Sequence, residues 1–334
     1  VTAQAVTDAA GDPISMPSEP ALVTVGDDLY VSSIGHFVVI DQQGNVQQVA
    51  NPEGGDLGNV SNLTVAGNRL FFQEEYSGSE SILVLDTQDR TIRWLADVSA
   101  ARSITPMGDQ LFFVGSKSGY GFELGVIDLS SGAVEFQDIF PGLQGSYPEN
   151  LVVMDGKLYF MASGDETTRT VWVSDGTQAG TAVLSPALHR PQGLLVHDNK
   201  LFFTALDSQD DLQVWRTDGS LGGTYPVTSL GNLQAPILGN LVVAGDGVYF
   251  IASVPGGRVF ARTGGEPANT IALTQPSGYY AAEFCAVKDG QAFFAVQDDR
   301  SSGGPFQALL RTDGTPVGTE QVVSLGSLAG RSAP

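Results

Sequence analysis

An all-β repeat fold is what the sequence predicts, and three observations predict it. Short apolar runs broken by Gly, Asp and Asn fill the chain, and few windows hold a helical period beyond a turn or two. One pattern, an apolar run, a polar turn and then an aliphatic–aromatic run, recurs seven times. A second pair of runs follows it in each unit, so each unit holds four strands, a to d, joined by hairpins. Such units, repeated seven times, fit a seven-bladed β-propeller with four antiparallel strands per blade. Closing the ring removes the exposed edges an open array would carry. Blades packed face to face accept central strands that are apolar on both sides, which is why the LFF and LYF runs do not alternate with polar residues.

Strands a and b read LVTVGDDLYVSS, LTVAGNRLFFQE, ITPMGDQLFFVG, LVVMDGKLYFMA, LLVHDNKLFFTA, LVVAGDGVYFIA and CAVKDGQAFFAV. Their central aromatics are Tyr30, Phe71, Phe112, Tyr159, Phe202, Tyr249 and Phe293, in steps of 41, 41, 47, 43, 47 and 44 residues. The first apolar residue of each motif lies eight before that aromatic, at Leu22, Leu63, Ile104, Leu151, Leu194, Leu241 and Cys285. Strands c and d read VWVSDGTQAGTAVL, VWRTDGSLGGTYPV and LLRTDGTPVGTEQVV in later units, with a weaker VFARTGGEPANTIAL. The first three units use the shorter VVIDQQGNVQQV, LVLDTQDRTIRWL and GVIDLSSGAVEFQDI. The seventh unit has its own strand d in TEQVVSL, so the fold needs no extra closing strand. Domain organisation follows: 1–20 as a leader, linker or extra strand, and 21–334 as one propeller domain.

Asp41, Asp86, Asp128, Asp175, Asp218 and Asp313 fall at the end of strand c. An Asp there can accept the backbone N–H two residues on, and Gly176, Gly219 and Gly314 can supply a positive φ. A loop repeated in blade after blade reads as a turn. The spaced D-x-D-x-D-G pattern of a Ca²⁺ loop is absent, and no Lys or helix follows the Gly as a phosphate loop requires.

VWVSDGTQAGT, VWRTDGSLGGT and LLRTDGTPVGT resemble the bacterial ELW-x-x-DGT repeat family. The likeness is good over 149–184, 191–230 and 283–325, weak over 239–274 and degenerate over 21–139. Strict Glu-Leu-Trp occurs nowhere, and the Trp is kept at Trp172 and Trp215. The resemblance implies a β-propeller in exported, often surface-attached bacterial proteins, and it implies no shared catalytic residues.

Composition narrows the partners. The formal net charge is −21, with 16 basic residues, of which four are Lys. Nucleic acid and anionic membrane are poor partners for that surface, whereas cationic ligands and metal ions suit it. The single Cys285 sits in the apolar FCAV run and reads as a buried, inert thiol. No apolar run is long enough to span a membrane as a helix. The first residues, VTAQAVTDAAGDP, carry no basic n-region, and a removed leader is the expectation.

Antiparallel connectivity puts the a–b and c–d turns on one face and the b–c and d–a connections on the other. Function is expected on the second face, where loops are longer and variable. Its b–c loops are acidic, with Glu74, Glu75 and Glu80, then Asp165 and Glu166, then Asp207, Asp210 and Asp211, then Asp298 and Asp299. Its d–a loops carry Tyr147 and Glu149, His189 and Arg190, and Tyr279, Tyr280 and Glu283. Residues two before the first apolar position, Pro20, Ser61, Arg102, Glu149, Gln192, Gly239 and Glu283, should ring the channel mouth. Exposed Tyr beside carboxylates suits sugar binding, with the ring stacking on the sugar and the acids taking hydroxyls or Ca²⁺. The candidate ligand residues are therefore Tyr147, Glu149, His189, Arg190, Tyr279, Tyr280, Glu283 and Arg102. If a metal binds, Asp165, Glu166, Asp207, Asp210 and Asp211 are its candidates. His36 and His197 read as turn or packing residues.

The function expected is a non-catalytic, exported binding or interaction module, extracellular or at the cell surface, with the periplasm as the other compartment. It presents one loop face to a glycan or protein partner, as a subunit of a larger assembly in one version, with no nucleic acid and no membrane insertion. No cofactor is expected beyond Ca²⁺ as a candidate. The alternative is a propeller enzyme of glycoside hydrolase or lyase type, with Glu149 and Glu283 as paired carboxylates and Arg102 as a substrate clamp. The sialidase Asp-box pattern is not met by SDGTQAGT, and no G-x-S-x-G elbow stands out.

Overall fold

The structure is a computed structural model that describes residues 21–33, 36–51, 55, 57–117, 119, 121–166, 168–185, 188–228, 241–254, 257–274, 279–298 and 308–324, with the side chains of 21, 33, 117, 253, 254, 257, 258, 279–285, 287, 297 and 298 left out. It forms seven four-stranded antiparallel sheets, each in simple meander order. Blade 1 holds β1 (Ala21–Val25), β2 (Asp28–Ser33), β3 (His36–Ile40) and β4 (Val46–Gln48). Blade 2 holds β5 (Asn59–Ala66), β6 (Arg69–Tyr76), β7 (Ser79–Asp86) and β8 (Thr91–Asp97). Blade 3 holds β9 (Ser99–Met107), β10 (Gln110–Lys117), β11 (Gly121–Asp128) and β12 (Val134–Gln137). Blade 4 holds β13 (Glu149–Met154), β14 (Lys157–Ser163), β15 (Arg169–Ser174) and β16 (Ala182–Val183). Blade 5 holds β17 (His189–His197), β18 (Lys200–Leu206), β19 (Leu212–Thr217) and β20 (Tyr225–Pro226). Blade 6 holds β21 (Val242–Ala244), β22 (Gly247–Val254), β23 (Gly257–Thr263) and β24 (Ile271–Ala272). Blade 7 holds β25 (Tyr279–Lys288), β26 (Gln291–Asp298), β27 (Ala308–Thr312) and β28 (Glu320–Ser324). This is the seven-bladed β-propeller the repeat predicts. The single helical turn among the described residues is a 3₁₀ turn at Pro267–Asn269.

Two compact units divide the chain: blades 1–3 lie in the first, blades 5–7 in the second, and blade 4 contributes residues to both. The core follows six of the seven predicted aromatics, while in blade 7 the buried ring is Phe294 and the predicted Phe293 is half-buried. Tyr30, Phe71, Phe112, Tyr159, Phe202 and Tyr249 are all buried in the second strand of their blade. In the first unit, Phe37 of blade 1 packs on Phe72 of blade 2 with ring centroids 5.1 Å apart. In the second, Phe260 of blade 6 packs edge-on against Phe294 of blade 7 at 4.6 Å. Second strands such as β6 are buried through five consecutive residues, so both of their faces meet apolar neighbours. Fourth strands such as β4 and β16 are exposed throughout, and in the first unit the first strands of neighbouring blades pack together. Strand a is therefore inner and strand d outer.

The Asp at the end of strand c behaves as the sequence predicts. Asp41, Asp86, Asp128, Asp175, Asp218 and Asp313 each accept the backbone N–H two residues on, at 2.9–3.1 Å. Gly176, Gly219 and Gly314 have φ of +95°, +89° and +87°. The second glycine of the motif has a reason the sequence did not reveal. A Cβ at Gly180, Gly223 or Gly318 would fall on the carboxylate of the Asp five residues earlier. Blade 6 reverses the arrangement. Gly264 stands in the Asp position, and Asn269 in the glycine position sends its Oδ1 back to accept Gly264 N–H and Glu266 N–H at 3.1 and 3.0 Å. The space is the same, and the acceptor enters it from the other side.

These turns also lock blades together. The blade 4 turn rests on blade 3, where Gln137 Nε2 donates to Gly176 O at 3.1 Å and Gln178 Oε1 accepts Asp138 N–H at 2.9 Å. In the second unit, Glu266 of the blade 6 turn takes the Tyr225 hydroxyl at 2.7 Å and Arg216 at 3.5 Å, both from blade 5. In blade 2, Arg90 reaches back to Asp28 of blade 1 at 3.4 Å and also bonds Gln47. The DGT loop is thus a structural clamp as well as a turn.

Candidate functional site

The face of the b–c and d–a connections is built differently from the clamp face. Strands a begin earlier than the sequence suggested. Ser61, Arg102 and Gln192 lie inside β5, β9 and β17, and Glu149 opens β13. His189 and Arg190, expected in a loop, are the first two residues of β17 and are exposed. The residue after each of these four is left-handed: Asn62 (φ 54°), Ser103 (φ 55°), Asn150 (φ 52°) and Gly193 (φ 66°). In β5, β9 and β17 the pairing register shifts there, so a bulge breaks the ladder. Such bulges re-aim side chains, and Ser61, Arg102, Glu149 and Gln192 are all exposed.

Two of the predicted residues meet in blade 3. The Arg102 guanidinium carbon sits 4.7 Å from the centroid of the Phe122 ring, and the Tyr147 ring stacks on Phe122 at 5.6 Å with 28° between planes. Tyr147 remains 49% exposed, so the stack offers an aromatic surface to a ligand. Phe122, at the start of β11, is a member that sequence reasoning missed.

The stack is fixed by backbone. Tyr147 N–H donates to Phe122 O at 3.1 Å, and Phe122 bridges Gly145. Only glycine fits on both sides, because a Cβ at Gly121 would lie 2.7 Å from Gly145 N. Beneath it lies Glu123, fully buried, which was also missed. Its carboxyl accepts Ser146 N–H at 3.0 Å and the N–H groups of Ile139 and Phe140 at 3.3 Å, and it bonds the Ser146 hydroxyl. One side chain therefore pins both ends of the connection from β12 to Tyr147. Burial pushes its pKa up to about 7, against the lowering effect of Ser146 and the three N–H groups.

Glu123 has counterparts. Five residues before the strand-c Asp, blades 2, 4 and 5 place Ser81, Thr170 and Gln213, all buried. Ser81 bonds Asp97 at the end of strand d, whereas Thr170 bonds Leu188 O and Gln213 accepts from Thr228, both in the stretch after strand d. A polar residue at that step of an otherwise apolar strand was the available signal.

The remaining candidates are dispersed. Glu74, expected in an exposed acidic loop, is instead 2% exposed within β6, where its Oε1 accepts Gly58 N–H at 2.7 Å. That correction is physical: a backbone N–H left behind the strand needs an acceptor. Asp165 and Glu166 are exposed between β14 and β15. Asp207 is engaged within its own turn by Gln209 and Asp211 N–H groups, while Asp210 and Asp211 are exposed. Among the described residues, no three His, Cys, Asp or Glu side chains gather closely enough to hold a metal ion. Tyr279, Tyr280, Glu283 and Cys285 lie on β25, and their side chains are outside the described residues. Pro20, Gly239, Asp299 and the segment 1–20 also lie outside the described residues. No helix among the described residues is long and apolar enough to cross a membrane.

No family model matches the chain, and no curated protein matches it. Solved structures do. One from a study of two prolyl endopeptidases is 9% identical, covers 92% of this chain and 49% of its own, and superposes with a TM-score of 0.53. A Mycobacterium tuberculosis puromycin-hydrolyzing peptidase is 14% identical, with 91% and 53% covered and a TM-score of 0.50. The β-propeller domain of the Trilobed protease from Pyrococcus furiosus is 12% identical, with 91% and 98% covered and a TM-score of 0.48. The chain spans about half the length of the first two. At these identities the likeness is one of fold alone.

Proposed function

We propose that this protein is a non-catalytic, exported binding module that presents its b–c and d–a face to a glycan, at the cell surface or outside the cell. The carrying observation is the Arg102–Phe122–Tyr147 stack, a half-exposed ring on a rigid backing. A sugar's apolar face stacks on such a ring, and its hydroxyls suit a guanidinium and the exposed carboxylate of Glu149 nearby in sequence. Rigid placement lowers the ordering cost of binding. We further place the chain with the ELW-x-x-DGT repeat proteins, a reading supported by the same turn bonds at Asp175, Asp218 and Asp313. Ca²⁺ is its candidate ion, and a surface assembly its candidate context.

The test is a glycan array probed with the purified chain, with Ca²⁺ and then with chelator. Saturable binding that falls about tenfold or more in Tyr147→Ala, with unchanged melting, is the expected result. A blank array under both conditions removes the glycan reading.

A further inference from the structure

Arg102 carries a guanidinium that this chain leaves unanswered. The residue is exposed within β9, its guanidinium carbon lies 4.7 Å from the Phe122 ring centroid, and among the described residues no acceptor bonds its N–H groups. Contact with a ring face holds the cation electrostatically and uses none of its five donors. The Tyr147 ring continues the stack from Phe122 at 5.6 Å and is 49% exposed. Arg102 and the Tyr147 ring are no farther apart than those two distances laid end to end, a span that a short oligosaccharide covers.

Other arginines show what this chain does with such a group in a structural role. Arg216 also lies on a ring, 4.6 Å from the Tyr225 centroid, and Glu266 answers it at 3.5 Å. Arg90 and Arg311 are paired with Asp28 and Glu320 although their side chains are 42% and 38% exposed. Exposure by itself therefore does not leave an arginine unpaired in a chain with 37 acidic and 16 basic residues. Arg93, on the outer strand β8, is exposed, and among the described residues neither an acceptor nor a ring holds it. Arg102 differs from all of these, with a ring that orients the cation and N–H groups left for a ligand.

A planar guanidinium with free donors takes a carboxylate as a bidentate pair, which a neutral hydroxyl cannot reproduce. Exposed charges beyond about 8 Å are largely screened at physiological ionic strength, so the net charge of −21 does not cancel a contact made at Arg102.

The geometry points to a glycan that carries a uronic acid, its carboxylate paired with Arg102 while a neighbouring sugar ring stacks on Tyr147. This assignment rests on the glycan reading of the Tyr147 face and narrows it to one ligand class.

The experiment prints oligosaccharides of galacturonic, glucuronic, mannuronic and guluronic acid beside counterparts whose carboxylates have been reduced to alcohols, together with neutral glycans. The whole chain is the probe, at physiological salt. At least one uronate should bind saturably, about tenfold or more tighter than its reduced counterpart. Arg102→Ala, with unchanged melting, should bring the acid down to the level of the reduced form. Arg102→Lys keeps the charge and loses the fork, so its preference should fall between the two. Tyr147→Ala should weaken acid and reduced forms by a similar factor, as loss of stacking does. Arg93→Ala should change nothing. A reduced form that binds as tightly as its acid, or a preference for the acid that survives in Arg102→Ala, overturns the assignment and leaves the glycan reading standing. Binding to neutral glycans with every uronate blank does the same. A blank with every glycan removes the glycan reading itself, and this assignment with it.

Discussion

Replacing Glu123 by Gln keeps the shape of a buried side chain and removes its ability to ionise. The native pKa stands at about 7 against an ordinary 4.5, because burial penalises the anion more than Ser146 and the three backbone N–H groups stabilise it. Folding therefore raises proton affinity. The stability tied to this proton is fully present below pH 4.5 and is lost as pH rises through 7. The shift corresponds to about 3 kcal/mol, an upper figure for a fully buried group. Below pH 4.5, E123Q should lie about 1 kcal/mol under the wild type, since its amide cannot accept from Ile139 N–H. Above pH 8 the order should reverse, with the variant more stable by about 2 kcal/mol. The assay is urea unfolding of both proteins at half-unit steps from pH 4.5 to 8.5. The reasoning fails if the wild-type-minus-variant difference stays flat or grows with pH. Either outcome would mean that the four hydrogen bonds outweigh desolvation and hold the carboxylate ionised.

The acid limb should run the opposite way. Hydrogen bonds from Ser130 and Ser131 lower Asp128 to about 2, and turn bonds likewise lower Asp41, Asp175, Asp218 and Asp313. Their contribution is present above the ordinary carboxylate value and fades as pH falls toward 2, so the urea midpoint should drop between pH 4 and 2, less steeply in Asp128→Asn. The inverted turn of blade 6 makes a second test. Gly264→Asp alone places a Cβ 2.8 Å from Asn269 Nδ2 and should cost about 1–3 kcal/mol, whereas Gly264→Asp with Asn269→Gly rebuilds the DGT geometry and should recover most of it. Thermal melts of wild type, both single variants and the double variant would decide this, and simple additivity would refute the shared-space reading.

Much of the architecture was legible because the blade repeats. Seven copies of one strand pair, with an aromatic at a fixed step, fixed the strand order and named the buried residues Tyr30 to Tyr249. The turn chemistry was legible for a related reason: an Asx turn is local, and its donors lie within a few residues. Strand a was read too short, because a bulge at Asn62, Ser103 or Gly193 interrupts pairing without any apolar signal. The acidic-loop reading missed Glu74 because burial of a charged residue depends on a backbone donor, Gly58, sixteen positions away.

The sequence by itself determined the fold class, the blade count, the Asp turns and the acidic surface. Each is encoded in local chemistry or in composition, and the repetition averages out local ambiguity. Tertiary structure alone decided which candidates meet. Arg102 and Tyr147 are brought together by Phe122, which neither neighbours in sequence. Glu123 became the anchor of that stack because packing removed water from it while folding delivered four donors from a distant connection.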